Sequence, residues 1–141
     1  MPPERVSATA IIAREEPGDL RFRVEYRLVG EALPRILETY EIAAGAVTVA
    51  YDTPGARMPT LLRWPVFASD GSQSASISLG PDRVAVAHGG RRIQYLLEGA
   101  GPLRISPQSY PHRNGHVRIA EAEKPIGTTL RLSIRCDEPR I

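Results

Sequence analysis

This chain has little sulfur chemistry to offer: Cys136 is its single cysteine, and methionine occurs only twice. One thiol excludes an intrachain disulfide and a thiolate metal cluster. Cys136 follows Leu130, Leu132 and Ile134 at the same parity, so a small buried hydrophobe is expected rather than a reactive nucleophile. Lysine is as scarce, Lys124 being the one lysine among 18 basic side chains. No apolar run approaches the roughly 20 residues of a membrane-spanning helix. There is no glycine-rich phosphate loop, because Gly89-Gly90 falls between two strand patterns rather than ahead of a helix. No G-x-S-x-G turn marks a strained serine nucleophile. The chain has no internal repeat, low-complexity tract or linker, which predicts a single domain over residues 1–141. Its opening, Met1-Pro2-Pro3-Glu4, lacks the charged and apolar regions of a secretory signal. The expectation is a cytosolic protein or a domain excised from a longer secreted chain.

What the chain does have is a two-residue hydrophobic beat from end to end. Phe22, Val24, Tyr26 and Leu28 alternate with Arg21, Arg23, Glu25 and Arg27. Successive side chains on a strand point to opposite faces, so this segment has one dry and one wet face. The beat returns at Val47/Val49/Tyr51, Val84/Val86, Ile93/Tyr95/Leu97, Val117/Ile119 and Leu130/Leu132/Ile134. Turn signals such as Pro17-Gly18, Ala44-Gly45, Pro54-Gly55 and Asp70-Gly71 separate the runs. About ten strands at this spacing predict an all-β, antiparallel two-sheet sandwich, with a β-barrel as the alternative. A chain near this length buries roughly 68–70% of its unfolded surface, enough for a core without staples. Leu61–Ala68 is almost wholly apolar and is expected to be a central strand covered on both faces. Ala32, Leu33, Ile36, Leu37 and Tyr40 also fit a helical stripe, but Thr39, Tyr40 and Ile42 favour a strand from Ile36.

Charge excludes little. The formal net charge is +2 and the pI about 9.0, from arginine, which reads as a compositional habit of the source genome. Arg21, Arg23 and Arg27 form a basic row broken by Glu25, while Phe22 and Tyr26 fall on the opposite parity and are expected in the core. A nucleic-acid sheet interleaves such charge with aromatics that stack on bases, so no nucleic-acid partner is expected, and no membrane.

The richest polar cluster is Tyr110-Pro111-His112-Arg113-Asn114-Gly115-His116. Its two histidines have the i,i+4 spacing of some zinc sites, but Pro111 and Gly115 argue against a helix. On one strand the two imidazoles would stand about 13 Å apart, too far for one ion with bonds near 2 Å. A bulged hairpin in which Asn114-Gly115 supplies positive φ is the better reading, so no metal ligand and no cofactor are assigned. Asp70 before Gly71 reads as a turn residue bonding its own backbone. Ser69, His88 and Asp52 make a catalytic triad only on paper. Trp64, the lone tryptophan, is expected to pack beside Leu62 and Val66, and with aromatics at 6% a sugar-stacking platform would have to use Trp64 or Tyr110.

Three phrases carry a family likeness: Leu33-Pro34-Arg35-Ile36-Leu37-Glu38-Thr39-Tyr40-Glu41-Ile42, Leu62-Arg63-Trp64-Pro65-Val66-Phe67 with Asp70-Gly71, and Pro111-His112-Arg113-Asn114-Gly115. Together they resemble the C-terminal β-sandwich modules that follow the α/α-toroid domains of bacterial polysaccharide lyases and heparinase-II/III-like proteins. The resemblance implies an ancillary module packing beside a toroid and completing one wall of a substrate cleft. The catalytic Tyr, His and Asn of those enzymes sit mainly on the toroid, so no catalytic residue is carried over. The expected function is thus a non-catalytic module on a neighbouring domain or subunit, with glycan contacts through Trp64, Tyr110, His112, Arg113 and Asn114. The alternatives are a free-standing β-barrel holding a small ligand, or a small hydrolase or metal enzyme using His88, His112 and His116. The module reading predicts a sizeable exposed apolar patch where the partner belongs.

Overall fold

The computed structural model describes residues 6–31 and 34–137, and over these the chain forms twelve strands and no helix. In chain order they are β1 (Val6–Glu16), β2 (Asp19–Leu28), β3 (Ile36–Ala43), β4 (Ala46–Asp52), β5 (Thr60–Ser69) and β6 (Ser76–Leu79). They continue with β7 (Arg83–His88), β8 (Arg91–Glu98), β9 (Leu103–Ile105), β10 (Tyr110–His112), β11 (Gly115–Lys124) and β12 (Leu130–Asp137). All pairings are antiparallel. Eight strands form one sheet in the order β1-β2-β3-β4-β12-β8-β7-β6, and β10-β11-β5 with β9 on β11 form a second. Both sheets are open, so the architecture is a sandwich and not a barrel. Tyr40, Ile42 and Thr39 do lie on a strand, while Ala32, Leu33 and the Met1–Glu4 opening lie outside the described residues.

Register places the apolar beat of all eight strands on one face of the large sheet. Ile12 pairs Phe22, Phe22 pairs Tyr40, Tyr40 pairs Val49, Val49 pairs Leu132 and Leu132 pairs Leu97. The opposite face is wet, and there the arginine row is neutralised locally: Arg23 and Arg27 lie 3.2 and 2.6 Å from Glu25, and Arg21 lies 3.3 Å from Asp19. The small sheet covers only part of the apolar face. The core is Trp64 and Val66 of β5, Val84 and Val86 of β7, Leu97 of β8, Ala120 and Ala122 of β11, and Leu130 and Leu132 of β12. Ala120 and Ala122 lie opposite Trp64 and Leu62, so small side chains make room for large ones.

Three expectations need correcting. The Leu61–Ala68 segment is not a central strand: β5 is the edge of the small sheet, with Leu61, Arg63 and Pro65 exposed. Proline explains this, since Pro65 cannot donate to a neighbour and is tolerated where no neighbour exists. Phe22 and Tyr26 have the apolar parity but stand outside the core, only half-buried. Cys136 shares the parity of Leu132 yet is exposed, because the end of β12 runs past the small sheet. Parity assigns a face, and the covering layer decides burial.

Candidate functional site

The polar cluster folds as a tight hairpin, with Pro111 opposite His116 and His112 opposite Gly115, and Arg113-Asn114 as the turn. Positive φ falls on Gly115 alone (φ 140°) and not on Asn114. Space as well as torsion requires glycine here: a Cβ on Gly115 would stand 2.0 Å from the Ser69 carbonyl oxygen. The hairpin therefore sits directly against the end of β5. The hairpin itself is regular rather than bulged; the register shift lies instead in the ladder of β11 with β5, between His116 and Val117, where Ala68 is the extra residue.

The hairpin brings Tyr110, His112, Arg113 and Asn114 together on the surface, the Tyr110 ring 44% exposed. The Asn114 N–H donates to His112 Nδ1 at 3.5 Å, a long bond within the turn. Trp64 is elsewhere: it is 8% exposed in the core, its ring tilted against Tyr95 at 6.0 Å between centroids. His112 and His116 occupy adjacent offset positions on paired strands and so project to opposite faces of the hairpin. Among the described residues no group of three or more His, Cys, Asp or Glu is placed to hold a metal ion.

Beside the hairpin lies an open cleft of about 620 Å³ lined by Ser69, Ser74, Ser109, His116 and Arg118 among others. The Arg118 Nε donates to the Ser106 carbonyl at 2.7 Å, which fixes the guanidinium at the cleft wall. Hydroxyls, an imidazole and a guanidinium suit a hydroxyl-rich or anionic ligand. Sequence reasoning missed this cleft because Ser69, Ser109 and Arg118 meet only through the pairing of β11 with β5 and the path of the chain after β9.

The structure does not assemble Ser69, His88 and Asp52 into a triad. The Ser69 Oγ accepts the Gly71 N–H at 3.0 Å, and Asp52 accepts the Thr129 hydroxyl on another part of the fold. His88 instead meets Asp70, Nε2 to Oδ2 3.3 Å, and stands edge-on to Phe67 at 5.0 Å. Asp70 is the expected turn residue: its Oδ1 accepts the Gln73 N–H at 2.6 Å and the Ser72 N–H at 2.8 Å. Those bonds, first Gln73 and then Ser72, with the nearby His88 adding least, hold its carboxyl down at about 2.

A second polar feature lies on the large sheet, outside the core. Glu38 of β3 occupies the apolar parity between Ile36 and Tyr40, opposite Val24 on one side and Tyr51 on the other. The Tyr40 hydroxyl donates to Glu38 Oε2, and the Tyr26 phenol is held above its ordinary range by burial first and by this carboxylate second. The sequence did carry a signal, a carboxylate at an inward position. No protein-family model matches the chain, and no curated protein matches it.

Proposed function

We propose that the chain is a non-catalytic β-sandwich module of a carbohydrate-active protein. It packs the open apolar face of β1–β3 on a neighbouring domain or subunit and offers the β10–β11 hairpin to a glycan. One observation carries the reading: the apolar side chains of β1–β3 continue the core face beyond the reach of the small sheet. Ile12 is 62% exposed there, and Phe22, Val24, Tyr26 and Ile42 are only half-buried. An apolar surface spread over three strands is unfavourable in water and is relieved by a covering surface. The carbohydrate assignment rests on the family resemblance and on the hydroxyl- and cation-lined cleft beside the hairpin.

The test is anilinonaphthalene sulfonate fluorescence on the folded chain and on an Ile12→Ser, Phe22→Ser double variant. The wild type should enhance the dye strongly, and the double variant should lose most of that enhancement at unchanged strand content. No enhancement by the wild type removes the docking face. For the glycan, acidic and neutral oligosaccharides are titrated while the amides of Tyr110, His112, Arg113 and Asn114 are followed by NMR. Shifts confined to these residues are expected, and none across both sets rejects the glycan.

A further inference from the structure

On the open face of the large sheet Glu38 stands among apolar and tyrosine side chains, while the other inward carboxylate that register assigns, Glu15, lies opposite Leu20 near the end of β1. Register surrounds this carboxylate with three phenols: Tyr51 directly across the ladder, Tyr40 two residues along the same strand, and Tyr26 diagonal to it on β2. Phe22 stacks on Tyr40, centroids 4.6 Å apart and planes at 11°, which fixes one wall of the group. Tyr51 also touches the core, so the cluster stands at the boundary between the covered and open parts of the sheet. Burial first, and Glu38 second, hold the phenols of Tyr26, Tyr40 and Tyr51 above their ordinary range, the last at about 12. At neutral pH they remain hydrogen-bond donors. No Lys or Arg among the described residues makes an ion pair with Glu38.

We propose that Glu38, walled by Tyr26, Tyr40 and Tyr51, is a binding site for one guanidinium or ammonium group carried by the partner that covers this face. The inference rests on the docking reading above and adds the chemistry of the partner. A surface that covers β1–β3 removes water from a carboxylate whose identified donor is neutral. A buried charge held only by neutral donors is the costly case, and a cation removes that cost. A carboxylate has acceptor sites beyond the one Tyr40 bond, and the flat tyrosine faces attract a cation by their quadrupoles. A guanidinium, planar and weakly hydrated, suits both. A second copy of the chain does not suit. The inward positions of β1–β4 that register assigns hold no Lys or Arg, so self-pairing would bury two Glu38 carboxylates without a counter-charge.

The test uses the chain itself, ¹⁵N-labelled, with three small probes: benzamidinium, its neutral counterpart benzyl alcohol, and methyl glucoside. Benzamidinium should shift the amides of Tyr26, Glu38, Tyr40 and Tyr51 saturably. Glu38→Gln, which keeps an acceptor for the Tyr40 hydroxyl, should bind it about fivefold more weakly. Benzyl alcohol should move Ile12 and Phe22 and bind Glu38→Gln and wild type alike. Equal binding of benzamidinium by wild type and Glu38→Gln overturns the cation site and leaves the docking face standing. Methyl glucoside shifting the cluster at lower concentration than benzamidinium overturns it in favour of a sugar site. Benzyl alcohol leaving Ile12 and Phe22 unmoved overturns the docking reading, and the partner named here with it.

Discussion

Leu130 and Ile12 lie on the same face of the same sheet, yet Leu130 is fully buried and Ile12 is 62% exposed. The strands around Leu130 (β12, β8 and β7) meet Trp64, Val66, Ala120 and Ala122 of the small sheet. The strands around Ile12 (β1–β3) supply no member of that core. The alternation is as regular in one half as in the other. What separates them is a second layer, and a layer is a property of topology rather than of any one strand. The half that lacks it also carries an inward carboxylate, Glu38, in the middle of β3, and three of the five tyrosines lie around that half and its border.

Substitutions sharpen the contrast. Leu130→Ala opens a cavity in a fully covered site and should cost about 2–5 kcal/mol in urea unfolding. Gly115→Ala should cost about 3 kcal/mol, because its Cβ meets the Ser69 carbonyl and its φ is positive; the same titration reads it. Phe22→Ala, equal in kind but outside the core, should cost only about 1 kcal/mol, far below the 3–5 kcal/mol or so of a buried phenylalanine. Ile12→Ser should fall within about 0.5 kcal/mol of wild type. A loss at Phe22 equal to that at Leu130 would mean that the two halves are covered alike.

The smallest effect is electrostatic. Asp70 has a folded-state pKa of about 2 against an ordinary 3.8, so its contribution is present above 3.8 and is lost as pH falls toward 2. Its carboxyl is exposed, so the change is a shallow one. In Asp70→Asn the melting temperature should fall less steeply across that window than in wild type. Identical slopes would show that the turn bonds at Ser72 and Gln73 do not depend on the charge.

Much of the fold was legible in the residues. Alternation and turn dipeptides located the strands, and Asn114-Gly115 marked the hairpin to within one residue of its positive φ. Burial was less legible. Leu61–Ala68 looked central because composition reports hydrophobicity and not neighbours, although Pro65 was an edge signal in plain view. Phe22, Tyr26 and Cys136 were assigned to the core on parity alone. Of the surface residues singled out, the hairpin gathers Tyr110, His112, Arg113 and Asn114 because they are contiguous, while Trp64 goes to the core with Leu62 and Val66. The Asp70–His88 pair joins the turn after β5 to the end of β7, and the Glu38 cluster joins β2, β3 and β4, so only the folded topology puts either together.

Hydrogen exchange, resolved residue by residue on the folded chain, tests the uneven covering most directly. Amides of β8, β11 and β12 should exchange only by global unfolding, and those of β1 and β2 by a cheaper local opening that leaves the core intact. Equal protection of β1, β2 and β12 would contradict the account, since it would place all eight strands under one continuous core.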